Sequence, residues 1–215
     1  MLFKVCGITE RSDIEALSRM ADFLGFIFYE ASPRNAFSLN PEIIRNIGLS
    51  VKTVGVFVDA DPDLANRICK ERNIQIIQLH GHESPEYISR MKEKGYYVIK
   101  AFRINEETDE NKLLEMTAPY ESHADMFLFD TGGKYAGGNG RKFNWEILKA
   151  YDHPTPYLLS GGISAEDWER VKGLNKKDYP GLEGIDLNSR FETAPGIKDC
   201  GRVETFIENI RSCEK

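Results

Sequence analysis

Short runs of β-branched and aromatic residues alternate with amphipathic stretches from one end of the chain to the other, and this alternation constrains the fold more than any other feature. Strands joined by helical crossovers lie parallel, since a tight hairpin cannot return the chain to the starting edge. The candidate strands are Leu2–Cys6, Phe23–Phe28, Lys52–Val58, Gln75–Leu79, Tyr97–Phe102, Met126–Asp130, Tyr157–Ser160 and Glu183–Leu187. Eight strands in 215 residues leave about 27 residues per strand–helix unit, near the least that a strand, a helix and two turns require. That density predicts an α/β fold, a (β/α)8 TIM barrel forming a single domain over residues 1–215. An open doubly wound sheet would use fewer strands, and no Gly-x-Gly-x-x-Gly follows the first one. No charge block or low-complexity tract divides the chain, and the longest loop, about Thr131–Lys142, is too short for an interdomain tether.

Helix starts are marked three times by a capping side chain followed by proline: Asn40-Pro41, Asp61-Pro62 and Ser84-Pro85. The cap accepts a bond from an orphan backbone N–H, and proline's fixed φ suits the first helical position. Ser12-x-x-Glu15 and Ser164-x-x-Asp167 have the spacing of capping boxes. Behind these starts, apolar residues recur at helical spacing, for example Ile43, Ile44 and Ile47, or Leu64 and Ile68. Each helix is expected to bury that face.

Charge and cysteine usage narrow the function classes. With 28 Lys+Arg against 34 Asp+Glu, the formal charge of −6 offers no general grip on a phosphate backbone, so nucleic acid is not an expected partner. No signal-peptide pattern follows Met1 and no 18-residue apolar run occurs, which predicts no membrane partner. Cys6, Cys69, Cys200 and Cys213 lie far apart without a Cys-x-x-Cys pair, a pattern that fits reduced thiols and a cytoplasmic location.

In a barrel, alternate strand residues point inward and reactive ones gather at the carboxyl ends. Cys6 closes the first candidate strand and Asp130 the sixth, so both are expected at the mouth. A lone cysteine is most often a small buried hydrophobe. A carboxylate after Met-Phe-Leu-Phe is costly unless it is used or paired, with Lys4 and Lys100 as candidate partners. Leu-Leu-Ser-Gly161-Gly162 after strand seven and Asp186-Leu-Asn188-Ser189 after strand eight lie where barrels often hold phosphate, although Gly-Gly alone also makes a plain tight turn. The segment 131–142, with five glycines and three cations, reads as a lid or as an unstructured surface loop. Gln78 and His80 share a parity that aims both at the mouth. His80-x-His82 hints at a metal, yet only four histidines are present and no further ligand falls at a strand end, so none is expected. Arg34 follows strand two and is either solvated surface or a bidentate partner for a carboxylate.

Taken together, Lys4-Val-Cys-Gly-Ile-Thr9, Gly55-Val-Phe-Val58, Gln78-Leu-His-Gly81, Phe129-Asp-Thr131 and Leu159-Ser-Gly-Gly162 resemble phosphoribosylanthranilate isomerase of tryptophan biosynthesis, over nearly the whole chain. The resemblance implies a single (β/α)8 barrel that performs a cofactor-free Amadori rearrangement of a small phosphorylated substrate. It implies Asp130 as the general acid toward the furanose ring oxygen and Cys6, as thiolate, as the base that removes the C2' proton. Such a pair needs environments that push one group toward its acid form and the other toward its base form. A free thiol ionises near pH 8.5, and Lys4 is the candidate to lower that value. The resemblance further implies that Arg34 meets the anthranilate carboxylate, that Gln78 and His80 line the aromatic side, and that Gly161, Gly162, Asp186 and Asn188 frame the phosphate. Where the family usually continues Gly-Val-Glu after Asn188-Ser189, this chain has Arg190-Phe191-Glu192, so either Arg190 adds a contact or the loop is displaced. Association with other tryptophan-pathway enzymes stays open. Competing readings are a Schiff-base aldolase using Lys100, read as the inward candidate one or two residues short of its strand end, another sugar-phosphate isomerase, or a non-catalytic phosphate-binding barrel.

Overall fold

The computed structural model of the chain describes residues 1–131 and 143–212. Its strands β1 (Leu2–Cys6), β2 (Phe23–Ile27), β3 (Lys52–Phe57), β4 (Ile76–Leu79), β5 (Tyr97–Ile104), β6 (Met126–Thr131), β7 (Tyr157–Leu159) and β8 (Leu182–Leu187) close into a barrel in chain order. Every neighbouring pair is parallel, and β8 pairs with β1 through Lys4↔Asp186 and Val5↔Leu187. The expected barrel is therefore present. β5 runs two residues beyond its expected end because Arg103 and Ile104 keep their pairing with Asp130 and Thr131.

Helices α1 (Arg11–Leu17), α2 (Pro41–Arg45), α3 (Pro62–Arg72), α4 (Pro85–Glu93), α5 (Glu110–Thr117), α6 (Trp168–Lys172) and α7 (Cys200–Arg211) surround the barrel. The three proline-marked starts behave as expected, with Asn40 accepting from Glu42 N (3.0 Å), Asp61 from Asp63 N (2.9 Å) and Ser84 from Tyr87 N (3.4 Å). Each such cap stabilises its helix by about 1 kcal/mol. The Ser164–Asp167 pair also forms, Ser164 N donating to Asp167 Oδ2 at 2.8 Å. The Ser12–Glu15 box does not. α1 begins two residues earlier, behind Glu10, and Asp13 turns inward to accept the main-chain N–H of Lys198 at 2.7 Å. Glu15 pairs instead with Arg11 at 2.8 Å. On α3 the buried face consists of Ala65, Ile68 and Cys69, whereas Leu64 is exposed.

Strand parity separates two apolar layers. Phe3 and Val5 of β1 point outward into the helix-facing core with Phe127, Phe129, Val203 and Phe206. Inside the barrel, Phe23, Val54, Ile76, Ile99, Met126, Leu128 and Leu158 pack together beneath Cys6. Burying a side chain of this size contributes roughly 1.5–3 kcal/mol. Between β8 and α7 lies a small antiparallel hairpin that was not expected, β9 (Glu192–Ala194) with β10 (Ile197–Lys198). Among the described residues, no helix is long and apolar enough to cross a membrane.

Candidate active site

At the carboxyl ends of the strands the inward positions become polar. Cys6, Gln78, His80, Asp130, Ser160 and Asp186 line one cavity together with the turn Gly161–Gly162 and with Asn188 and Ser189. Strand alternation alone brings β1 and β6 side chains into this space, since β1 and β6 are not neighbours in the barrel.

Cys6 is buried at the end of β1, and Gly25 on β2 makes room for it: a Cβ at Gly25 would lie 2.8 Å from Cys6 Sγ. Nothing in the sequence pattern had singled Gly25 out. Two residues below, Lys4 is fully buried and donates to Asp186 Oδ1 at 2.8 Å, while Ser160 Oγ donates to Asp186 Oδ2 at 3.2 Å. Burial pushes the Cys6 thiol above its ordinary range, outweighing the opposing pull of Lys4. The expectation that Lys4 lowers the thiol thus holds for the sign of that one contact and fails for the net result, because desolvation is larger and Asp186 offsets the ammonium.

Asp130 accepts from the N–H of Thr131 at 2.9 Å and turns its other oxygen toward His80 Nε2, 3.4 Å away. Gln78 Nε2 lies 3.2 Å from His80 Nδ1, which orients the ring. Among the described residues, Gln78 Oε1 and His80 Nε2 are buried without a hydrogen-bond partner. Such atoms cost about 1–3 kcal/mol each when unmet, so the site is poised to bind polar groups. Neither lysine considered as a partner reaches Asp130. Lys4 is held by Asp186, and Lys100 points outward, where it pairs with Glu83 at 2.9 Å and donates to Gly81 O at 2.7 Å. The inward residues of β5 are Ile99 and Ala101, so Lys100 has the wrong parity for a Schiff-base lysine. His82 is exposed with its ring 3.1 Å from Asp59, well removed in character from the buried His80.

On the opposite side, Gly161 and Gly162 both take positive φ, at 90° and 66°. A Cβ at Gly161 would lie 2.5 Å from Thr131 N, so only glycine permits this close backbone turn at the cavity wall. Asp186 lines the same wall with its carboxylate already bound by Lys4 and Ser160. The stretch read as a lid falls almost wholly within 132–142, outside the described residues.

The sequence profile described as N-(5'phosphoribosyl)anthranilate (PRA) isomerase matches residues 3–209 of this chain. The chain belongs to that family. The PRA isomerase of Parabacteroides distasonis is 40% identical over 213 residues, covering 98% of this chain and 93% of the relative. The solved phosphoribosyl anthranilate isomerase from Thermus thermophilus superposes with a TM-score of 0.81 at 30% identity, covering 99% of each chain. Another solved PRA isomerase, in complex with reduced 1-(o-carboxyphenylamino)-1-deoxyribulose 5-phosphate, gives 0.79 at 28% identity, covering 99% of this chain and all of that one.

Two features of this PRA isomerase family member depart from expectation. Arg34 does not line the cavity; its guanidinium grips Glu192, with Nε 2.9 Å from both carboxylate oxygens and Nη2 2.8 Å from Oε2. The loop carrying Arg190 keeps Asn188 and Ser189 at the cavity, because Phe191 is buried edge-on against Phe206 and its N–H bonds to Asn188 O at 3.0 Å. Arg190 itself is exposed. Glu192 and Lys198 on the hairpin were not foreseen as neighbours of the site; Lys198 Nζ lies 2.6 Å from Glu192 Oε1 and 2.9 Å from Asn188 Oδ1.

Proposed function

We infer that this chain is an isomerase that converts N-(5'-phosphoribosyl)anthranilate to 1-(2-carboxyphenylamino)-1-deoxyribulose 5-phosphate, with Asp130 as general acid and Cys6 as general base. The observation that carries the assignment is that a thiol and a carboxyl group from non-neighbouring strands line one cavity walled by a Gly-Gly turn.

In this reading Asp130 gives its proton to the furanose ring oxygen as the C1'–O bond breaks, and the anilino nitrogen supplies the electron pair for a protonated Schiff base. The Cys6 thiolate then takes the C2' proton, and the electrons of that C–H bond neutralise the iminium to give an enolamine. Tautomerisation to the ketone completes an isomerisation in which no atom is gained or lost. Both transfers use side chains of this chain, and each is typically worth about 10²–10⁴ in rate.

The remaining roles follow from charge and shape. The Gly161–Gly162 backbone, with Asn188 and Ser189, would meet the phosphate, and Asp186 would support that wall through Lys4 and Ser160. Gln78 and His80 would lie along the aromatic side, where their unpaired buried atoms are available. Arg34 stands beside the cavity rather than on its wall, with Nε and Nη2 held by Glu192, and would turn its remaining Nη1 to the anthranilate carboxylate. The test is to supply purified protein with freshly prepared phosphoribosylanthranilate and to follow loss of substrate and identify the product. Conversion to the aminodeoxyribulose phosphate is expected; binding without turnover would overturn the assignment in favour of a phosphate-binding barrel.

A further inference from the structure

The hairpin inserted after β8 carries a buried cation that the mechanism above does not use. Lys198 is fully buried at its side chain, and its ammonium meets Glu192 Oε1 at 2.6 Å and Asn188 Oδ1 at 2.9 Å. Glu192 is itself buried and is shared with Arg34, so two cations surround one carboxylate. Its carboxyl is held below the ordinary range even though burial alone would raise it, as expected when two opposite charges outweigh desolvation. This group packs against the residue that follows Cys6: a Cβ on Gly7 would lie 2.9 Å from both Arg34 Cδ and Asn188 Oδ1. The hairpin is pinned there by Thr9, whose hydroxyl donates to Gly196 O at 2.9 Å.

We propose that Lys198 is a positioning residue for Cys6: with Arg34 it forms, around the single carboxylate of Glu192, a buried ion cluster whose excess positive charge favours the thiolate. The proposal rests on the reading of Cys6 as the base. Desolvation opposes ionisation of this thiol, and the other nearby lysine, Lys4, is neutralised by Asp186 at 2.8 Å. The excess positive charge near the thiol therefore comes from the cluster in which Arg34 and Lys198 share the one carboxylate of Glu192. Asp13, from α1, accepts the main-chain N–H of Lys198 and turns its other oxygen to the Cys200 thiol, 3.8 Å away. Asp130 and His80 face Cys6 across the cavity, and neither contacts the hairpin cluster.

The test reads Cys6 directly and without substrate. The rate of iodoacetamide alkylation at Cys6 is followed against pH by mass spectrometry of its peptide, in wild type, Lys198→Met, Lys198→Arg and Glu192→Gln. Removing one unit charge roughly 10 Å away at an effective dielectric of about 20 moves a midpoint by on the order of one pH unit. Lys198→Met is expected to raise the Cys6 midpoint by about that much and to lower kcat/KM near neutral pH roughly tenfold, while Lys198→Arg stays close to wild type. Glu192→Gln is expected to lower the midpoint, a shift of opposite sign that a merely structural role would not produce. A cooperatively folded Lys198→Met protein with an unchanged midpoint overturns the proposal. Should that variant fail to fold, Glu192→Gln decides: a lowered midpoint supports the cluster and an unchanged or raised one refutes it. Protein that never turns over phosphoribosylanthranilate but shows these opposite shifts would refute the assigned activity alone; active enzyme with unmoved midpoints would refute the cluster alone.

Discussion

The two ends of the same barrel are built from the same strands and do opposite things. At the amino ends the inward residues are Phe23, Ile76 and Met126, which pack apolar surface. At the carboxyl ends the same faces of β1, β6 and β8 present Cys6, Asp130 and Asp186. The parity that buries a methyl group at one end buries a thiol or a carboxyl group at the other. One end gains stability from burial, and the other accepts buried polar atoms, such as Gln78 Oε1, which has no hydrogen-bond partner among the described residues, and His80 Nε2, which meets only the Asp130 carboxylate at 3.4 Å.

This contrast breaks most sharply at the apolar end. Met126→Ala removes a buried side chain from the inner layer and is expected to cost about 2–5 kcal/mol in urea unfolding, with kcat/KM of the folded fraction within about twofold of wild type. A large activity loss beyond the folded fraction would mean that the two ends are mechanically coupled. At the mouth, Arg34→Ala is expected to raise KM about ten- to a hundredfold in steady-state kinetics with kcat little changed, the size of a lost charge-assisted contact. Arg34→Lys should recover only part, since a lysine cannot reproduce the fork that grips Glu192.

A smaller effect sharpens the comparison between thiols. Cys69 packs in the outer core, where burial pushes its thiol up to about 12. Because the folded state holds this proton more tightly than the unfolded chain, the contribution to stability is complete below the unfolded value of about 8.5 and is lost as pH climbs toward the folded one. Unfolding free energy should therefore drop by roughly 2 kcal/mol between pH 7 and pH 10 from this group alone. Cys69→Ala should flatten that decline, as urea titrations at the two pH values would record.

The architecture was legible because its signals are local. Helix starts at Asn40, Asp61 and Ser84 announce themselves by a cap beside a proline, and strand parity correctly turned Cys6 and Asp130 toward one space. The inward reading of Lys100 fails because Ile99 and Ala101 are the residues that fill the barrel interior, so the intervening lysine faces the helices and Glu83. The Arg34–Glu192 pair spans 158 positions, and no periodicity points across such a distance. The hairpin that carries Lys198 has strands of three and two residues, too short to leave a pattern. Gly25 carries no sequence signal for a related reason: its value lies in the space it leaves for the neighbouring strand's thiol, which only assembled strands reveal.

The most direct measurement is kcat at saturating phosphoribosylanthranilate for purified Cys6→Ala and Asp130→Asn beside wild type, with KM and the urea transition recorded for each. Two separate proton transfers predict that kcat falls about 10²–10⁴-fold in both variants while KM and cooperative unfolding stay close to wild type. Turnover near the wild-type rate in either variant would contradict the account.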